Sequence, residues 1–160
     1  MWKAGHSLIK AKLKEEKAQL AGEMSGHIFF VNRYYGYDDA IYAGARLLEI
    51  LSHTDKKMSD LLSGLPVTVA TPEIRTECGD EIKFSVVKKL IEKFKKEYPV
   101  IDVDGARVLF DGGWGLVRAS NTQPILVLRF EARDESTLEK IRRIMEETVA
   151  STIKEVGQTG

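Results

Sequence analysis

Asp104-Gly-Ala-Arg-Val-Leu-Phe-Asp-Gly-Gly-Trp-Gly-Leu-Val-Arg-Ala-Ser-Asn-Thr-Gln-Pro-Ile-Leu-Val-Leu-Arg-Phe-Glu-Ala-Arg133 decides the fold. Asp104-Gly105 lies between two apolar runs, 100–103 and 106–110, and Asp-Gly is a strong signal for a tight hairpin. Residues 114–118 read as a third strand. Residues 125–133 alternate cleanly: Leu126, Leu128, Phe130 and Ala132 line one face, while Arg129 and Glu131 keep the other polar. That alternation belongs to a sheet packed on one side only.

The flanks complete the unit. A short strand over 73–78 leads into a helix with Val86, Val87, Leu90, Ile91 and Phe94 on one face, stopped by Pro99. After the last strand, Asp134 or Ser136 caps a helix whose stripe is Leu138, Ile141, Met145, Val149 and Ile153. Ser136-Thr-Leu-Glu139 has the form of a capping box. Residues 67–72 read as a linker or edge segment, and 157–160 as a frayed end. The prediction for 67–160 is an α+β domain: an antiparallel four-stranded sheet with two helices packed on one face.

Residues 1–66 read differently. Helices are predicted over 7–19 and 39–52, the second capped by Asp38. Ile41, Ala45, Leu48 and Leu51 or Ser52 follow the helical period and predict a buried face, with Gly44 permitting close packing. Short strands over 20–22 and 28–32 flank the turn Glu23-Met-Ser-Gly-His27, and a short helix over 57–63 is broken by Gly64-Leu65-Pro66. Two or three short strands make a poor sheet alone. The segment therefore reads as the end of an α/β domain whose beginning is missing.

Composition narrows the function. Lys+Arg and Asp+Glu are 24 each in 160 residues, so the formal net charge is zero. A nucleic-acid binder would carry a basic excess or stripe. The lysine-rich stretches 10–17 and 88–96 are interleaved with Glu and read as solvated helix faces. Cys78 is the only cysteine. It excludes an intrachain disulfide, suits a reducing cytoplasm, and reads as a buried structural thiol. No apolar run approaches the ~18 residues of a membrane span.

Three clusters carry chemistry. Arg118-Ala-Ser-Asn-Thr-Gln-Pro124 gathers a guanidinium, two hydroxyls, an amide and successive backbone N–H groups, a donor set suited to phosphate. The same composition fits a plain connecting turn in which Ser120 and Asn121 close the backbone. Glu23 and Ser25 could accept from and donate to vicinal sugar hydroxyls, although Glu-x-Ser is also an ordinary turn. Lys3-Ala-Gly-His-Ser7 precedes a helix and can be a simple N-cap by Ser7 or a neighbour. His6 and His27 could pair on a metal, but with one Cys and no further nearby His a closed metal site is not expected. His53, at a helix end, reads as structural.

Four motifs occur in order: Trp2-Lys-Ala-Gly-His-Ser7, Gly22-Glu-Met-Ser-Gly-His27, Tyr37-Asp-Asp-Ala-Ile-Tyr42 and Arg118-Ala-Ser-Asn-Thr-Gln-Pro124. Together they resemble the C-terminal part of an α-D-phosphohexomutase, in the bacterial phosphomannomutase/phosphoglucomutase branch. The resemblance implies four domains around a cleft, with 1–66 the tail of the sugar-binding third domain and 67–160 the phosphate-binding fourth. It implies that Glu23 and Ser25 contact ring hydroxyls and that His6 and His27 contact substrate. It implies that Arg118, Ser120, Asn121 and Thr122 hold the phosphate that is not being transferred, while a bisphosphorylated sugar reorients between half-reactions. The ligand would be mannose or glucose 1- or 6-phosphate.

Departures from the pattern matter as much. Ala4 stands where the branch often has threonine. The family's phosphoserine motif, of Ser-His-Asn-Pro type, is absent, and so is its Asp-x-Asp-x-Asp magnesium loop; Asp102-x-Asp104 lies in the hairpin instead. No catalytic residue and no metal ligand is therefore expected in this chain. Mg²⁺ would belong to the parent enzyme, none would be bound here, and the missing N-terminal domains would be partners. The expectation is a fragment that binds phosphosugar without turning it over. Phosphoglucosamine mutases usually carry Gln where this chain has Met24, which ranks that sugar lower. A free-standing, non-catalytic phosphosugar-binding module is the alternative of another class.

Overall fold

The computed structural model describes residues 1–158 and divides into two compact units, Met1–Leu65 and the residues from Pro66 on. The second unit contains β3 (Val69–Ala70), β4 (Ile74–Glu77), α3 (Lys83–Phe94), β5 (Val100–Ile101), β6 (Ala106–Phe110), β7 (Gly113–Ala119), β8 (Ile125–Ala132) and α4 (Glu135–Gly157). All neighbours in its sheet are antiparallel, in the order β3-β8-β7-β6-β5, with β4 also on β8.

The described sheet therefore has six strands rather than four. Two of the strands are only two residues long: β3, in the segment read as a linker or edge, and β5, in the run 100–103 expected to flank the hairpin. β3 and β4 form one edge of the sheet, broken at Thr71-Pro72. Pro72 has no N–H to donate to a ladder. Thr71 bridges the gap: its amide donates to Phe130 O at 3.0 Å, and its hydroxyl accepts the Phe130 amide at 3.2 Å.

Side-chain alternation then sets the core. Ala106, Val108, Val117, Leu126, Leu128, Phe130 and Ala132 face inward, against Val86, Leu90 and Phe94 of α3 and Leu138, Ile141, Met145 and Val149 of α4. Both helices lie on that face. Burial of these side chains, at roughly 1.5–3 kcal/mol each for the larger ones, is the main force holding the unit together.

α4 takes the first of its two expected caps. Its N-cap is Asp134, which accepts the Thr137 amide at 2.7 Å, so Ser136 and Glu139 lie inside the helix and form no capping box. Its stripe includes the expected Ile153, half-buried against the core, and adds Thr152, 0% exposed. The Thr152 hydroxyl donates to Thr148 O at 2.7 Å and accepts from Lys93 Nζ of α3 at 3.0 Å, so the buried polar group is satisfied. Gly157 still belongs to the helix. Of the end expected to fray, Thr159 and Gly160 lie outside the described residues.

The first unit contains α1 (His6–Glu16), β1 (Leu20–Gly22), β2 (Ile28–Phe30) and α2 (Ala40–Ser52), with a single 3₁₀ turn, Met58–Asp60, where a longer helix was expected. α1 stops three residues early because Lys17 adopts φ +50°, a left-handed cap. β1 and β2 pair antiparallel across the Glu23–His27 turn. Ile9, Leu13 and Phe29 form a small core.

The predicted buried face of α2 is not buried. Ile41 is 88% and Leu48 67% exposed, and a Cβ on Gly44 would meet nothing within 4 Å. A two-stranded sheet is too narrow to cover an amphipathic helix of 13 residues. The helix is instead tied down at its start. Its N-cap is Asp39, not Asp38: the Asp39 carboxylate accepts the Tyr42 amide at 2.9 Å and also the Tyr34 hydroxyl. That hydroxyl donates to a carboxylate, is partly desolvated, and has its pKa pushed up to about 12.

Candidate functional site

In the first unit, β1, the turn and the start of α1 bring three expected residues together. One ligand atom from each of His6, Glu23 and His27 lies within 4.8 Å of the others. The turn is closed by Glu23 N donating to His27 O at 2.8 Å and Gly26 N to Glu23 O at 3.0 Å. Glu23 reaches out to accept the Gly5 amide at 2.9 Å. Gly5, a neighbour of Ser7, is the N-cap of α1 and has no side chain to cap with; Ser7 itself is inside the helix. One oxygen of Glu23 thus anchors the helix start.

A residue the sequence reading placed elsewhere completes the cluster. Asp38, expected to cap α2, instead takes His27 Nδ1 at 2.6 Å and the Ile28 amide at 3.1 Å, with His6 Nε2 3.5 Å away. An antiparallel bridge between Phe29 and Asp38 fixes it there. Partial desolvation pushes the Asp38 carboxyl up, but the hydrogen bonds from His27 and Ile28 outweigh it and hold its pKa below the ordinary value of 3.8. A neutral His27 must donate from Nδ1 to this carboxylate, which leaves the Nε2 lone pair as an acceptor. The His6 and His27 rings meet edge to face at 4.4 Å. Ser25 sits exposed at the tip of the turn. The cluster can accept hydroxyl protons at Glu23 and His27 and donate from Ser25.

In the second unit, Arg118 lies near the end of β7, and residues 120–124 connect it to β8. Arg118 Nη1 is 3.6 Å from Asp104 Oδ2, in the neighbouring hairpin turn. The Ser120 amide donates to Ile125 O at 3.0 Å, and its hydroxyl oxygen accepts the amides of Thr122 at 3.3 Å and Gln123 at 3.2 Å. Two of the N–H groups counted as anion donors are therefore folded onto Ser120, as in an ordinary turn. What remains is the half-buried Arg118 fork beside Asp104 and the exposed side chains of Asn121 and Thr122. The Ser120 hydroxyl still has its own proton to donate.

Mg²⁺ needs near-octahedral oxygen ligation. Among the described residues, the ligand cluster found does not fit it. His6, Glu23 and His27 offer mostly nitrogen, and Asp102 is engaged by Lys95 Nζ at 2.6 Å. Among the described residues, no helix is long and apolar enough to cross a membrane. Cys78 is buried, and desolvation, then Glu81, pushes its thiol pKa up, which suits a structural role.

Comparisons with known proteins agree across both units. A family model described as phosphoglucomutase/phosphomannomutase, alpha/beta/alpha domain III, matches residues 1–69, and one described as phosphoglucomutase/phosphomannomutase, C-terminal domain, matches 73–148. The chain is 51% identical over 145 residues to a phosphomannomutase/phosphoglucomutase of Pseudomonas putida, covering 90% of this chain and 31% of that protein. It is 46% identical over 154 residues to a phosphoglucomutase of Neisseria gonorrhoeae, covering 94% of this chain and 33% of that protein. The crystal structure of a phosphoglucomutase/phosphomannomutase family protein from Burkholderia thailandensis matches with a TM-score of 0.79 and 46% identity, over 95% of this chain and 32% of that one. The chain thus spans about a third of the length of the curated relatives it matches. It belongs to the phosphoglucomutase/phosphomannomutase family, and what it carries is the region of domain III and the C-terminal domain.

Proposed function

We propose that this chain is the substrate-binding part of a cytoplasmic phosphohexomutase that interconverts hexose 1-phosphate and hexose 6-phosphate, with mannose or glucose as the sugar. The 120–124 loop holds the phosphate that is not being transferred, through Arg118, Ser120, Asn121 and Thr122. The first-unit cluster binds sugar hydroxyls: Glu23 and His27 accept, Ser25 donates, and His6 packs the His27 ring and shares its carboxylate. The observation that carries the reading is Arg118 at the edge of an exposed hydroxyl- and amide-bearing turn. A guanidinium in that place binds two phosphate oxygens at once. The chain alone supplies binding and no turnover, because its sequence carries neither the phosphoserine motif nor the Asp-x-Asp-x-Asp loop.

Calorimetric titration tests the reading. Glucose 1-phosphate should bind measurably, glucose far more weakly, and Arg118→Ala should remove the difference between them. Equal binding of glucose and glucose 1-phosphate would sink it, as would wild-type affinity in Arg118→Ala.

A further inference from the structure

Lys83 is the first residue of α3, and its side chain is only 5% exposed. Lysine is almost never buried without a reason. Its Nζ donates to Asp80 Oδ1 at 2.6 Å and to the main-chain carbonyl of Gln123, inside the 120–124 loop, at 3.0 Å. Gln123 O also accepts the Ile125 amide at 2.8 Å, so this carbonyl is where the loop turns back into β8. The next carbonyl, Pro124 O, accepts the Cys78 amide at 2.9 Å. The loop therefore rests on the segment between β4 and α3, with a buried ammonium beneath it.

We propose that Lys83 is the positioning residue of the phosphate loop. It rests on the reading of that loop as phosphate-binding. Two effects follow from one side chain. A carbonyl pointed at an anion repels it, and Lys83 draws the Gln123 carbonyl inward, away from the exposed face where Arg118, Asn121 and Thr122 lie. The ammonium also places a full positive charge under the loop in a water-poor setting, where charge is screened least. Asp80 balances that charge only in part, because its side chain is 68% exposed and well solvated.

The test titrates inorganic phosphate into the purified chain at low ionic strength, following the loop amides by NMR, with thermal unfolding measured in parallel. Lys83→Met should weaken phosphate binding by about tenfold, the scale of one lost unit charge acting through an effective dielectric near 20. Lys83→Arg should recover most of the loss. Asp80→Asn discriminates a positioning charge from a simple staple. It breaks the same ion pair but leaves the ammonium uncompensated, so phosphate binding should tighten. Unchanged affinity in Lys83→Met, or weaker binding in Asp80→Asn, overturns the proposal. If Lys83→Met does not fold, Asp80→Asn decides alone. If the wild-type chain shows no phosphate response, the loop reading itself fails and the proposal falls with it.

Discussion

Gly105→Ala should unfold the second unit at markedly lower denaturant. Gly105 adopts φ +83°, and a Cβ added there would lie 2.2 Å from Val117 O and 2.7 Å from Arg118 Cβ. The carbonyl belongs to main chain paired in the ladder, Ala106 opposite Val117, so it cannot move aside without parting β6 from β7. A left-handed L-residue costs about 1–2 kcal/mol. Overpacking adds about 1–3 kcal/mol. Together they reach roughly 2–5 kcal/mol, against about 5–15 for a whole domain. With a urea slope of about 2 kcal/mol per molar, the midpoint should fall by about 1–2.5 M. Unfolding can be followed by Trp114 emission in a Trp2→Phe background, since Trp114 is covered by the Arg107 guanidinium at 3.9 Å. The same variant should weaken phosphate binding, because the strain falls on Arg118. A midpoint within error of the parent would show that this turn gives way cheaply and that its glycine is not required.

Other outcomes follow from the same geometry. Gly44→Ala, in a helix interior with open space around it, should stabilise the first unit by about 0.5–1 kcal/mol, read from its own urea transition; destabilisation would mean α2 has a close neighbour there. The first unit should lose stability on acidification. Asp38 and Asp39 both have pKa values held below the ordinary 3.8, so the stability they contribute is present above that value and is lost as the pH falls through their folded values. Asp38→Asn combined with Asp39→Asn should flatten the profile, and an unchanged profile would remove these two groups as its cause. Finally, ¹⁵N spectra of the neutral His27 ring should show the Nδ1–H tautomer, with Asp38→Asn shifting population to Nε2–H; a dominant Nε2–H form in the wild type would break the assigned hydrogen bond.

Much of this architecture is legible in the sequence because period-two patterning is strong there. The alternation of Leu126, Leu128, Phe130 and Ala132 marks the inward face of β8 directly, whereas a two-residue Asp104-Gly105 turn would set Ile101 opposite Val108 and the structure sets it opposite Arg107. The stripe of α2 is legible too, but it states only that one face is apolar, not that anything covers it. The cap of α2 is Asp39 rather than Asp38, and an Asp-Asp pair before a helix does not say which carboxylate caps and which turns to a histidine 11 residues earlier. That depends on the Phe29–Asp38 bridge, a pairing with no local signature. Lys83 is hidden for a similar reason. In a stretch that also holds Lys88, Lys89, Lys93, Lys95 and Lys96, nothing marks the one lysine whose ammonium is buried. The inward bonds of Ser120 are equally invisible in composition, which cannot distinguish a hydroxyl offered to a ligand from one that closes its own turn.

The most direct measurement is an amide-shift titration of the intact chain with glucose 1-phosphate. The backbone amides of residues 120–123 should move in a saturable way at up to millimolar ligand, and Arg118→Ala should abolish the movement while leaving the rest of the spectrum in place. If those amides stay still in a folded protein, the 120–124 loop is a connecting turn and nothing more.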